Sequence, residues 1–579
     1  MRRVWVRRTL LLVIVAVVLV GAWTAWQAWQ VNRDLNDAVD AVDRARAAAE
    51  AGDATGLDAA IDDLTASSEA AAERTDGLTW SALTHLPRFG DDARGVRVVS
   101  SVVRDLAVDG ARPLAEVSDD LDQLLPRDSQ VSVDALTGLQ APVTRAEQAL
   151  AVADDRLAGE DPSGFVMRLR EQYRDLAGTV RDTHRALSSA ATALDVLPAM
   201  LGAEGPRNYL LVFQNNAEIR ATGGLPGSVA LITTDDGRIE LGRQVAGNSL
   251  SSPTSSILPL SEAEDALFAD LIGRYFVNAN LTPDFPRTSE LMRAWWEGSY
   301  PEQVDGVLSV DPVALSFILA VTGPVEVGGV SLDADNVVDE LLHGVYLRYE
   351  DPAEQDAFFQ QVARTAFEQV LSGADDPQAL VRALGRAADQ SRLYVHSFDP
   401  DEQAALAGTA VAGELVTAPT DDPQVTVALN DSTGAKMSYF LRYDVDVQPT
   451  SCGDGVQSYT GSAVLESTAP ADAASLPDYI TGGGLLGAPP GTEFVNVNLF
   501  APAGGSVTDL RVNAQRIEPA VIDYDGRPTD TVAVQLEPGQ KVRVGWRMTS
   551  GAGQTGPTTV SVTPGIEDRD YSSKVPTAC

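Results

Sequence analysis

Hydrophobic periodicity changes twice along this chain, and that change limits its possible folds more than any other feature. Up to about residue 200, apolar residues recur at helical spacing, first Val31, Leu35, Val39, Val42 and Ala45, then Leu57, Ile61 and Leu64. From Arg207 to about Val416 short apolar runs alternate with helical stretches, the pattern of an α/β domain with a largely parallel sheet. From about Asp422 the period falls to two, in "VTVAL", "SYFLRYDVDV", "FVNVNLFAP", "TVAVQL" and "KVRVGWRM". Turns such as "NDSTGA" and "PPGT" separate these runs, as in an immunoglobulin-like all-β sandwich. A single core rarely grows past about 250–300 residues, so 579 residues imply several domains.

The N-terminus sets the expected compartment. Arg2, Arg3, Arg7 and Arg8 precede an uncharged run from Thr9 to Trp26, and Trp23, Trp26 and Trp29 cluster at its far end. Such a run spans roughly 27 Å as a helix, near the hydrocarbon thickness of a bilayer, and tryptophan favours the interface. A cleaved signal peptide fits less well, because tryptophans stand where a small-residue cleavage site belongs. The expected order is a cytoplasmic tail (1–8), a transmembrane helix (9–29), a helical stalk or coiled-coil-like bundle (30–200), an α/β domain (201–420) and a β-sandwich (421–579). This is a multi-domain α+β chain with a single pass through the plasma membrane and its bulk extracytoplasmic. The stalk suits self-association, or serves as a plain spacer.

A net charge of −39 excludes nucleic acid and anionic headgroups as electrostatic partners of the exported part. Only Cys452 and Cys579 occur, too few for a cysteine-rich zinc module; in an exported compartment they suit a disulfide that ties down the C-terminus, or two independent thiols. No P-loop, HExxH, Ser-x-x-Lys or nucleophile elbow is present. Gly482, Gly484 and Gly487 spell G-x-G-x-x-G but run into "APPG", which cannot open a helix. The four histidines show no ligand spacing.

Three polar clusters remain inside the α/β region. In "RNYLLVFQNNAEIRATGGLPGSVALI" a polar loop with Asn215, Asn216, Glu218 and Arg220 lies between two apolar runs. An arginine there suits bidentate phosphate binding, with the asparagines as donors. The second cluster holds Asp284 and Arg287; the third holds Arg348, Asp351, Asp356 and Arg364. Each alone reads as an ion pair or a helix cap, and together they suggest an anionic-ligand site. Helix signals are clear: Ser261 with Glu264 as a capping box, and Asp311-Pro312 opening a helix that Gly323-Pro324 closes. A helix from about Pro352 to Leu371 is expected to bury Phe359, Val362, Ala366 and Val370.

With "PDFPRTSEL", "VDGVLSVDPVALSFILAVTGPVEV" and "NVVDELLHGVYLRY", the first cluster closely resembles domain-of-unknown-function family 4012, over about 200–375, and "GAKMSYFLRYDV" is similar to that family's usual continuation. The family in turn resembles the LytR-CpsA-Psr phosphotransferases. That resemblance implies recognition or transfer of a polyprenyl-phosphate-linked glycopolymer onto peptidoglycan, with magnesium as a possible cofactor. It places the phosphate on Arg220, Asn215, Asn216, Arg287, Arg348 and Arg364, with Asp284 as catalytic base or metal ligand. Arg348, Asp356, Gln361 and Arg364 fall near those enzymes' "R…D…RQ" segment. Pro226, Gly227 and Ser228 stand where the enzymes carry Ser-Asp, and "GRQVAGNSL" replaces Pro-Arg-Asp, so metal-ligand oxygens and a clamping arginine are missing. The alternative is a non-catalytic envelope scaffold that retains the fold and holds partners.

Overall fold

Alanine, rather than valine, sets the packing of the N-terminal helices. Arg2–Glu50 and Ala54–Asp76 form an antiparallel pair whose core is Ala38, Ala41, Ala45, Ala60, Ile61 and Leu64. Val39 and Val42, expected on that stripe, are exposed. Two stripes one position apart both satisfy helical spacing, and the close approach of the helices selects the smaller side chains. The computed structural model describes all residues except 1, 52, 88, 118–128, 251–253, 374–375 and 486, and only the backbone of residues 2–22, 50 and 377. The uncharged run expected to cross a membrane thus lies largely outside the described side chains. Among the described residues no helix is long and apolar enough to cross one.

The chain is a multi-domain mixed α/β protein that divides into two compact units, Met1–Leu124 with Ser132–Pro198, and Leu125–Val131 with Ala199–Cys579. In the first, helix Gly90–Asp105 packs through Val102 against Leu150, Ala153 and Leu157 of Val133–Ala158. Tyr173 and Val180 of the following helix, Met167–Met200, close the same core.

The second unit contains a five-stranded sheet made of β1 (Arg207–Arg220), β2 (Gly223–Asp235), β3 (Arg238–Ala246), β4 (Gly306–Val310) and β5 (Leu393–Ser397), in the order β3-β2-β1-β4-β5. Only β1 and β4 run parallel, so the expected largely parallel sheet is corrected. The cause is local. Ala221 and Thr222 alone join β1 to β2, and Asp236-Gly237, both at positive φ, make the two-residue turn between β2 and β3. Neither link leaves room for a crossover. The helical segments read as crossovers lie instead between β3 and β4 and between β4 and β5.

Helix starts follow the sequence closely. Ser261 and Glu264 form the reciprocal capping box, and Asp311 Oδ1 accepts from the Ala314 amide at 2.8 Å to open Pro312–Thr322. Helix Pro352–Leu371 has the expected bounds, but Phe358 and Ala363 are buried with Val362 and Ala366, while Phe359 and Val370 are only half-buried.

From Gln424 onward two antiparallel-rich sheets face each other, of five and six strands. Their inner faces interdigitate in one core that joins Val427, Leu429, Val497 and Val534 to Tyr459, Leu465, Val544 and Trp546. Thr558–Val562 pairs parallel with Gln424–Asp431, the single parallel ladder there among the described residues. Cys452 and Cys579 are joined in a disulfide, with Cα atoms 5.0 Å apart and 127 positions separating them. On loop-closure entropy such a link is worth about 4–5 kcal/mol. Thr577 and Ala578 also bond to Gln457, so the C-terminal strand is pinned twice.

Candidate functional site at the far end of the first strand

The polar residues expected in a loop lie on β1 itself. Tyr209–Phe213 pair with β4 and β2, then the register slips at Gln214 and again between Asn215 and Ile219. Beyond the bulge the strand no longer pairs with β4; Ile219 and Arg220 still pair with Gly224 and Gly223 of β2 while their side chains reach the sandwich. Ile219 joins the sandwich core, its amide donating to Ser438 Oγ at 3.3 Å. Two residues on, the Ala221 amide donates to Asn430 Oδ1 at 2.9 Å, and Thr563 Oγ1 donates to the Ala221 carbonyl at 2.9 Å. Every residue from Asn216 to Arg220 is buried.

Burying charges on such a strand requires partners. Glu218 Oε1 lies 2.5 Å from Lys436 Nζ. That ammonium also sits 4.3 Å from the Tyr479 ring centroid and 4.8 Å from that of Tyr346. Burial alone would lower the Lys436 pKa; Glu218 and the two tyrosines outweigh it and hold the group protonated. Arg220 donates to the carbonyls of Ile219 and Asp431 at 3.0 and 3.3 Å and lies 3.7 Å from the Asp431 carboxylate. Burial raises the Asp431 pKa and Arg220 opposes the shift. Asp431 also accepts from the Thr433 and Gly434 amides, each at 3.0 Å.

The neighbouring asparagines are equally engaged. Asn215 donates to Tyr346 Oη at 2.6 Å, and Asn216 donates to Asp311 Oδ2 at 3.0 Å. The same Asp311 oxygen accepts from the fully buried Arg392 at 2.8 Å, so one carboxylate serves a helix cap, a strand and a cation. Gln214 and Asn280 complete a buried network with Thr222 and Gly224. A Cβ at Gly224 would stand 2.2 Å from the Asn215 carbonyl carbon, so the glycine there serves backbone approach within the hairpin.

The remaining expected residues are dispersed. Arg287 is held by Glu264, at 2.7 Å, and by Glu290, at 2.8 Å. Arg348 pairs with Glu340 at 2.6 Å and lies over the Phe358 ring. Arg364 is exposed. Asp284 stands at the start of helix Phe285–Ser299 and accepts from the Leu415 amide at 3.1 Å. Burial pushes its carboxyl up to about 6. The structure therefore brings Asn215, Asn216 and Arg220 together along β1, and ties Arg287 and Arg348 to carboxylates of their own. The donor set does not fit magnesium either: among the described residues no group of three or more Asp, Glu, His or Cys is placed to hold a metal ion.

Lys436, Tyr346, Asp431 and Arg392 were not singled out by sequence reasoning. One signal for Lys436 was present, since it is the first lysine of an arginine-rich chain, with Lys541 and Lys574 the others. Its compact ammonium sits in a buried pair against two aromatic rings.

Removing one partner of a buried pair strands the other. Lys436→Met or Glu218→Gln alone is expected to cost about 3–5 kcal/mol, and the double variant to recover part of that loss. Urea denaturation of the three variants checks this, and additive losses would contradict it. Glu493 supplies a pH test. It is buried beside Asp431, and burial pushes its carboxyl up to about 8, with Ser438 pulling the other way. A raised carboxyl favours the fold while protonated, so its contribution is complete below about pH 4.5 and is lost progressively as pH rises to about 8. Glu493→Gln should flatten that slope in unfolding free energy measured from pH 5 to 8.

Comparison with known proteins agrees with the motifs over part of the chain. No curated protein and no solved structure matches. Residues 204–346, from just before β1 to the helix that carries Tyr346, match the family described as "Protein of unknown function (DUF4012)", so this segment, with Asn215, Asn216 and Arg220 inside it, is a DUF4012 segment, as the motifs indicated.

Proposed function

We propose that this chain is a membrane-anchored, extracytoplasmic envelope scaffold, whose α/β part and sandwich form one partner-holding body and follow a helical unit in the chain. The anchor is read from the arginine-flanked uncharged run and its tryptophans. One observation carries the choice of scaffold over glycopolymer transfer. Arg220, the residue assigned to the phosphate, is buried against Asp431 and two backbone carbonyls, where it fastens β1 to the sandwich. Ligand phosphate would have to displace those partners inside a core. Arg287 and Arg348 stand in separate ion pairs, which also supports holding the fold over clamping one anion.

The test uses the full chain in lipid nanodiscs, titrated with a short-chain polyprenyl pyrophosphate with and without magnesium. Arg220→Lys is the informative variant, because it keeps the cation for Asp431 while losing the bidentate fork. No saturable binding that depends on Arg220 is expected. Saturable binding to the native chain that Arg220→Lys abolishes without loss of folding would overturn the scaffold reading in favour of phosphate recognition.

A further inference from the structure

The register of the first helical unit carries one more conclusion. Three contacts fix the antiparallel pairing: Arg44 with Asp63 at 2.8 Å, Asp34 with Arg74 at 2.6 Å, and Gln27 with Thr79 at 2.8 Å. Helix Leu78–Leu83 therefore lies beside residues 27–31 of the first helix. Trp80 is buried there with Val31 and Ala93, its indole donating to the Ala93 carbonyl at 2.9 Å. That contact brings the start of helix Gly90–Asp105 to the same level. The turn between these helices, with Leu86 and Phe89, thus lies at the end of the unit where the uncharged run enters.

Among the described residues, six large apolar side chains are exposed at this end: Trp23, Trp26, Trp29, Leu78, Leu86 and Phe89. Leu78 shows 92 % of its surface and Phe89 63 %. Both segments carry little charge, with Arg88 and Asp91 flanking Phe89. No Asp, Glu, Lys or Arg occurs between Arg8 and Arg33, or from Gly77 to Pro87, in a chain where such residues make up 22 %. Scattered exposed leucines need no explanation, but a collar of six large apolar side chains gathered at one end of a helix does.

We infer that this collar is a membrane-seating surface. Trp23, Trp26 and Trp29, with Leu78, Leu86 and Phe89, sit in the interfacial layer of the bilayer from which the first helix emerges. The occupant is lipid because the collar continues the uncharged run on the same helix, and because tryptophan prefers the headgroup boundary. The seating fixes the first unit against the bilayer through two segments rather than one flexible helix. This inference rests on the anchored reading of the N-terminal helix.

The test places an environment-sensitive fluorophore on single added cysteines in the full chain, at Leu78→Cys, Phe89→Cys and Val42→Cys. All three positions are exposed, so the core is left intact. Val42 lies about 24 Å along the helix from Trp26 and serves as the control. The protein is reconstituted in phosphatidylcholine–phosphatidylglycerol vesicles containing lipids with shallow nitroxide quenchers. A blue shift and strong quenching at Leu78 and Phe89, with Val42 unaffected, is the expected result. Chain that floats with vesicles while all three probes report water would overturn the collar and leave the anchor standing. A blue shift without quenching would assign the collar to protein, such as a second copy, and would also overturn it. Failure to float at all would overturn both readings.

Discussion

One strand crosses from one hydrophobic core into another, and charge makes the crossing possible. Up to Phe213, β1 is an ordinary central strand of the five-stranded sheet. Past the bulge it carries Glu218 and Arg220 into the sandwich, where water cannot solvate them. Lys436 and Asp431, both from sandwich segments, are the partners that allow those side chains to be buried. Asp311 adds a further buried link, joining Asn216 to Arg392. Without these partners the strand would face an apolar core with two bare charges. The sheet and the sandwich would then have no reason to share it.

That constraint reorders the meaning of the family motifs. An arginine and two asparagines beside glycines resemble a phosphate site because those residue types bind phosphate well. The same types also satisfy buried backbone and carboxylate groups, and here each has a partner of that kind. Gly224 permits close backbone approach within the hairpin. The order of these motifs along the chain then follows from joining: "RNYLLVFQNNAEIR" supplies the strand, "SVDP" the Asp311 hub, "GVYLRY" the Tyr346 wall and "GAKMSYF" the Lys436 counter-charge.

What could be read from the chain was mostly local. Ser261 with Glu264 and Asp311 with Pro312 define helix starts within four residues, and both occur as read. Readings failed where two local answers were degenerate or where the partner was distant. The stripe through Val39 and Val42 and the one through Ala38 and Ala41 share a period, and only the neighbouring helix chooses between them. Phe358 and Phe359 pose the same choice. The role of Arg220 depends on Asp431, 211 positions away, and that of Glu218 on Lys436, 218 away. No spacing rule reaches so far. The sheet was misread for a related reason, since helices inserted between antiparallel strands give the same alternation as true crossovers.

The central claim is that β1 beyond its bulge belongs to the sandwich as much as to the sheet. Native-state hydrogen exchange of the full chain tests it most directly, by comparing amides of residues 216–222 with those of 424–431 across a denaturant series. The account predicts that both segments open together, with one free energy and one denaturant dependence, as a single cooperative unit. Exchange of 216–222 through a separate, lower-energy opening while 424–431 stays protected would contradict it. The charged end of β1 would then be a detachable segment, available to a ligand after all.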